Sequence, residues 1–255
     1  TFFKKVYKRH TNFGIESIQQ DINTIMDFGS NTEISITKTG TLISDMHMEF
    51  TLPPPARSGG LDIGGNAITG SAANGIVENF ESYATYVDAV GYAIIDEVKF
   101  LLNNDTVDKH TGLWYDVWNE LTDPNQTEWP LVGKTNSNTE PSGPDFNKSR
   151  YYVPLKFYFN RNPGLALPIF LLNDGDIKVY ISLKTRDSLL RFKKPSSGNA
   201  SIIHQESISN FKFFTTYVFL EPSEELRITN NLPSEYLVET LDIHENVRSN
   251  DLNNI

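Results

Sequence analysis

An apolar residue stands at every second position in run after run of this chain. Met46, Met48, Phe50 and Leu52 alternate with His47, Glu49 and Thr51. Ile177, Val179, Ile181 and Leu183 alternate with Lys178, Tyr180 and Ser182, and Val153, Leu155, Phe157 and Phe159 with Pro154, Lys156 and Tyr158. Successive side chains of an extended strand leave opposite faces, so each run reads as a strand with one face on a core. Further strands are predicted at about Phe13–Asn23, Thr32–Lys38, Ala93–Leu102 and Phe211–Leu220, with a weaker one inside Ser188–Ser207. That makes about eight. Aromatic residues are 12% of the chain, which suits pleated, half-buried surfaces. At 255 residues the chain is long enough to bury roughly 70–75% of its unfolded surface in a proper core.

One segment has a different period. Within Asp108–Leu121, the residues Leu113, Trp114, Val117, Trp118 and Leu121 fall at helical spacing, with Asp108 or Thr111 as cap and Gly112 weakening the first turn. This predicts a short helix in a loop between strands. Two long segments, Pro53–Gly75 and Thr122–Arg150, are rich in Pro, Gly, Asn and small residues and read as loops, suited to binding or external display. Strands and helices do not alternate as in a doubly wound sheet. The expected fold is all-β: an eight-stranded antiparallel jelly-roll β-sandwich with long loops and a short loop helix.

Chemistry finds little footing. The net charge of −10 argues against general nucleic-acid binding, which needs a basic surface to displace counterions. Without cysteine there is no disulfide scaffold, thiol nucleophile or Cys-based metal site. His10, His47, His110, His204 and His244 show neither i, i+2 nor i, i+4 pairing. Gly133-Lys134-Thr135 matches the end of a phosphate-binding loop, but Glu128 stands where its first glycine belongs. No G-x-S-x-G occurs. The carboxylates Asp21/Asp27, Glu221/Glu224/Glu225 and Asp242/Glu245 read as solvated surface, although a glycosidase cleft stays open as an alternative. No catalytic, cofactor-binding or metal-ligating residue is assigned, and no cofactor is implied.

Lys4, Lys5, Lys8, Arg9 and His10 form a basic island, read as the solvated start of a strand or a contact for an anionic partner. Glycosylation sequons occur at Asn104, Asn125, Asn147 and Asn199. The longest apolar stretch, Leu165–Leu172, is too short to cross a bilayer, and the first residues do not form a signal peptide. The lack of an initiator Met and the polar stretch Arg248–Ile255 suggest a piece of something longer.

Three segments together carry a resemblance. Phe2–Ile22 contains Tyr7-Lys8-Arg9-His10-Thr11-Asn12-Phe13, Asp105–Thr122 contains Val107–His110 leading to Trp118-Asn119-Glu120-Leu121, and Tyr151–Ile181 contains Asn162-Pro163-Gly164-Leu165-Ala166-Leu167-Pro168. Val87–Ile95 and Leu232–Leu241 fit as well. In this order they resemble the N-terminal jelly roll of the double jelly-roll major capsid proteins of nucleocytoplasmic large DNA viruses. The chain departs from that pattern in having Asn103-Asn104 for a glycine pair, Asn173-Asp174-Gly175 for Gln-Tyr-His, and a long Pro53–Gly75 loop.

The resemblance implies a structural protein rather than an enzyme. Residues 1–222 would be the first jelly roll and 223–255 a connector or the start of a second. The subunit would form homotrimers of pseudo-hexameric outline that tile an icosahedral virion shell, assembled in the host cytoplasm. Its partners would be neighbouring capsomers and minor capsid proteins, with the N-terminus near an internal viral membrane. Two other readings stand beside it: a single jelly-roll minor capsid or penton protein, and a carbohydrate-binding or carbohydrate-active jelly roll. Phe50, Phe157, Phe159, Val179, Ile181 and Phe219 are the expected core, and Trp114 and Trp118 an aromatic stripe packing on the sandwich or a neighbour.

Overall fold

A computed structural model of the chain describes residues 11–55, 83–135, 148–172, 175–193, 206–231 and 238–242. The strands are β1 (Phe13–Gln20), β2 (Asn31–Ser35), β3 (Leu42–Leu52), β4 (Tyr83–Tyr86), β5 (Ile95–Leu102), β6 (Asp105–His110), β7 (Ser149–Pro154), β8 (Leu167–Pro168), β9 (Ile177–Leu183), β10 (Leu190–Lys193) and β11 (Ser209–Leu220). The helices are α1 (Val90–Ala93), α2 (Gly112–Thr122), α3 (Trp129–Val132) and α4 (Pro222–Asn231).

All the strand pairings are antiparallel. One sheet runs β1-β11-β3-β7, with β8 also on β3; the second runs β2-β9-β5-β6; β4 and β10 pair separately. The alternating runs become strands because each offers one continuous apolar face to the same core. Met46, Met48, Phe50 and Leu52 of β3 and Ile177, Val179, Ile181 and Leu183 of β9 are buried together with Phe213 and Tyr217 of β11 and Val98 and Phe100 of β5. Phe100 sits 5.4 Å from Phe157 and 5.0 Å from Phe159, ring centroid to ring centroid.

Several expectations need correction. The described residues hold eleven strand segments rather than eight, because β4, β6 and β8 are too short or too polar to show a period. The strand expected over Val153–Phe159 ends at Pro154; Leu155 adds one more bond to Met46, and the chain then turns through Tyr158–Asn160. Phe157 and Phe159 still reach the core, from this turn. Phe219 is only half-buried, since it lies at the end of β11 opposite Gly14, which has no side chain to cover it. Asp108 is not a helix cap: it lies inside β6, and Thr111 precedes α2. The loop expected over Thr122–Arg150 contains α3 and the start of β7, whereas most of Pro53–Gly75 lies outside the described residues.

Asn103 and Asn104 both take left-handed backbone (φ 52° and 69°), as a two-residue hairpin turn of right-handed twist demands. Asparagine tolerates that conformation, so the change from glycine leaves the turn type intact. The Asn103 side chain also accepts from the Asp176 amide (3.0 Å), and that of Asn104 from Lys178 (2.8 Å).

Register fixes the two ends of the sandwich. Leu52 faces Ser149, Ser209 faces Thr51, and Lys193 faces Tyr83. Leu52, Ser149 and Ser209, one flank each of segments 56–82, 136–147 and 194–205, are therefore gathered at one end of the first sheet. Phe13 faces Leu220 at the opposite end, where residues 1–10 join and α4 begins.

Candidate assembly surface

Helix α2 lies across the end of β5 because its first residue has no side chain. A Cβ on Gly112 would stand 2.2 Å from the Tyr92 carbonyl oxygen and 2.6 Å from that of Ile95. Tyr115 and Asn119 form the helix's buried face. Tyr115 stacks on Tyr92 at 5.8 Å. Glu128 gathers three partners, accepting from the Tyr92 hydroxyl (2.9 Å), the Asn119 amide (3.2 Å) and the Lys156 ammonium. Lys134 reaches Asp116 (2.7 Å) and Glu120 (2.5 Å), one turn apart on the helix, and so ties α3 to α2. Those two carboxylates outweigh the effect of burial and raise the Lys134 pKa, so the ammonium stays charged.

This anchoring leaves an apolar row facing outward. Leu113, Val117 and Leu121, each four residues from the next, are 72%, 49% and 77% exposed. Three large apolar side chains in one exposed row make this a candidate contact surface. Trp114 and Trp118 belong to the flank instead. Their rings stack at 5.5 Å, with the Arg161 guanidinium over both and Trp114 also on His110 at 3.9 Å. A second exposed apolar group lies on the outer face of the first sheet. Phe13 and Ile15 of β1, 58% and 63% exposed, pair in register with Leu220 and Val218.

The candidates for chemistry occupy structural posts. Gly133 is the left-handed residue that ends α3 (φ 73°), and Lys134 is taken by its two carboxylates, so the apparent phosphate loop is a helix stop. Asp27 organises a turn by accepting from the amides of Phe28 (2.8 Å) and Ile208 (3.1 Å). Glu221 accepts from Asn12 and Glu225 from Thr41. His47 lies on the outer face of β3, stacked on Phe214 at 5.0 Å; burial lowers its pKa despite Asp45 and Glu49 nearby. His110 is buried. His10, His204 and His244, and the sequons at Asn147 and Asn199, lie outside the described residues. No group of three or more His, Asp or Glu suited to a metal ion occurs among the described residues.

Sequence reasoning missed Gly112, Asn119 and Glu128 as organisers of the α2 surface. The spacing of Asp116 and Glu120 was a local signal, but their partner Lys134 lies a loop away.

Comparison with known proteins agrees with this architecture. The family described as "Major capsid protein N-terminus" matches residues 1–221. The chain is 29% identical over 269 residues to the major capsid protein of Phaeocystis pouchetii virus, covering 94% of this chain and 48% of that protein. It is 32% identical over 242 residues to the major capsid protein of Paramecium bursaria Chlorella virus 1, covering 94% and 47%. A chain of the PBCV-1 virus capsid, known as a quasi-atomic model, superimposes with a TM-score of 0.67 at 28% identity over 94% of this chain and 50% of that one. The chain thus spans about half the length of these relatives. With the match running through both sheets, the chain belongs to the major capsid protein family, as its N-terminal portion.

Proposed function

We propose that this chain is the first jelly roll of a double jelly-roll capsid subunit, a structural protein of a virion shell. The observation that carries the reading is the strand order. Of the eleven strands, eight make two facing rows, β1-β11-β3-β7 and β2-β9-β5-β6, in which the first strand lies beside the last. Such an order suits the wrapping of an eight-stranded jelly roll. Residues 1–222 form that unit, and 223–255 are the connector towards a second; the family match ends just before α4.

Three copies of such a two-sandwich subunit make a trimer with six similar lobes, suited to tiling an icosahedral shell. The α2 row and the outer patch of β1 are surfaces for neighbouring sandwiches. The end that gathers one flank each of 56–82, 136–147 and 194–205 faces outward. The end from which residues 1–10 depart, with their basic residues, faces inward, towards minor capsid proteins and an internal membrane. Assembly in the host cytoplasm completes the reading. Light scattering on the protein of the full reading frame tests it: a trimer is expected, and a monodisperse monomer would overturn the capsomer assignment.

A further inference from the structure

Residues 238–242 lie against the flank of the sandwich beside β6, the outer strand of its sheet. Three contacts illustrate how they are held. The Leu241 amide donates to Asp108 Oδ1 (3.0 Å). Glu239 stands 3.6 Å from the Arg161 guanidinium, which lies over Trp114 and Trp118. Val238 packs on the hydrophobic core.

Beneath this strap is a buried polar pair. Asp108 Oδ2 and His110 Nε2 approach to 3.0 Å, and neither side chain reaches solvent. The imidazole stacks between Trp114 (3.9 Å) and Phe157 (5.1 Å), and its Nδ1 is 3.3 Å from the Tyr115 hydroxyl. A carboxylate removed from water needs donors. Oδ1 of Asp108 has two backbone donors, Lys109 on its own strand (2.9 Å) and Leu241 on the strap. The second arrives from 133 residues further along the chain. Without it, the buried carboxylate would keep one backbone donor of the two, and the Trp114 and His110 flank would lose its cover.

We propose that residues 238–242 are a latch, with Asp108 as the catch. The latch closes the flank of the sandwich beside β6 and fixes the line along which the chain leaves it. The role in setting that exit rests on the reading that a second domain follows; the latch itself does not.

Hydrogen exchange on the full-length protein tests this with two variants on the strap side, which leave the sandwich sequence untouched. Leu241→Pro removes the donating N–H, whereas Leu241→Ala keeps it. In Leu241→Pro, exchange at residues 238–240 and 242 and at Lys109 should accelerate by more than about tenfold, the loss expected for a hydrogen bond to a charged group. Amides of β5 and β9 should be unchanged, and Leu241→Ala should match the wild type. Equal protection in Leu241→Pro and wild type would overturn the latch, as would an equal loss in both variants. The exchange pattern is read whether the sample is trimer or monomer, so failure of the latch and failure of the capsomer reading are separate results.

Discussion

Phe157 shows how one residue's burial can outlast an error in its secondary structure. It reaches the core from a turn after β7, with Phe100 on one side and His110 on the other. Phe157→Ala should cost about 3–5 kcal/mol as a large-to-small core change, read by chemical denaturation. A loss under about 1 kcal/mol, well outside that range, would mean that the site collapses freely or is not core. Asp108 gives a pH prediction. Burial pushes its carboxyl upward, but the His110 hydrogen bond and charge, with the amides of Leu241 and Lys109, outweigh burial and hold the pKa below its ordinary value. A lowered folded pKa stabilises above the unfolded value, and that stability is lost as pH falls towards the folded one. Asp108→Asn should therefore cost about 3–5 kcal/mol at pH 7, as for breaking a buried pair. The deficit should shrink below about pH 4, where the unfolded carboxyl protonates. A deficit equal at pH 7 and pH 3 would contradict this account.

Helix α2 is the element on which folding and assembly can be separated. Gly112→Ala places a methyl against two backbone carbonyl oxygens that have no rotamer to change, so a loss of at least about 1–3 kcal/mol is expected in a thermal melt. Leu113, Val117 and Leu121 touch solvent instead. Replacing all three by Ser should move stability little, since surface changes stay within about 0.5 kcal/mol each, while weakening self-association in sedimentation. A triple variant that associates like the wild type would remove α2 from the interface. The helix was legible from its period, but the direction of its faces was not. Apolar spacing marked Leu113, Trp114, Val117, Trp118 and Leu121 as helical and Trp114 and Trp118 as its stripe, whereas the buried face is Gly112, Tyr115 and Asn119. Periodicity assumes that the apolar side goes inward, and the exposed row of α2 breaks that assumption. Strand β9 was legible because it alternates cleanly over a face buried without interruption, and β3 because Met46, Met48, Phe50 and Leu52 keep one buried face, although its parity shifts at Asp45. β6 was hidden by its polar sequence, since its inward residues are Asp108 and His110, 3.0 Å apart and both buried.

At the scale of the whole molecule, the two sheets bring distant sequence into one end-to-end polarity. One flank of each long segment lies where β3 ends and β7 and β11 begin, and the N-terminal and α4 ends meet opposite. That separation follows from register, which no local pattern displays, and it is what a wall subunit with an inside and an outside requires. The chain accounts for about half of its relatives' length, so the shell itself is the place to test the account. The most direct measurement is a cryo-EM map of virions carrying this protein, resolved well enough to trace side chains. The account predicts that residues 11–222 fit one of two sandwiches per subunit in a trimeric capsomer, with Leu52, Ser149 and Ser209 towards the exterior and Phe13 towards the interior. A shell from which this chain is absent, or one in which Phe13 points outward, would contradict it.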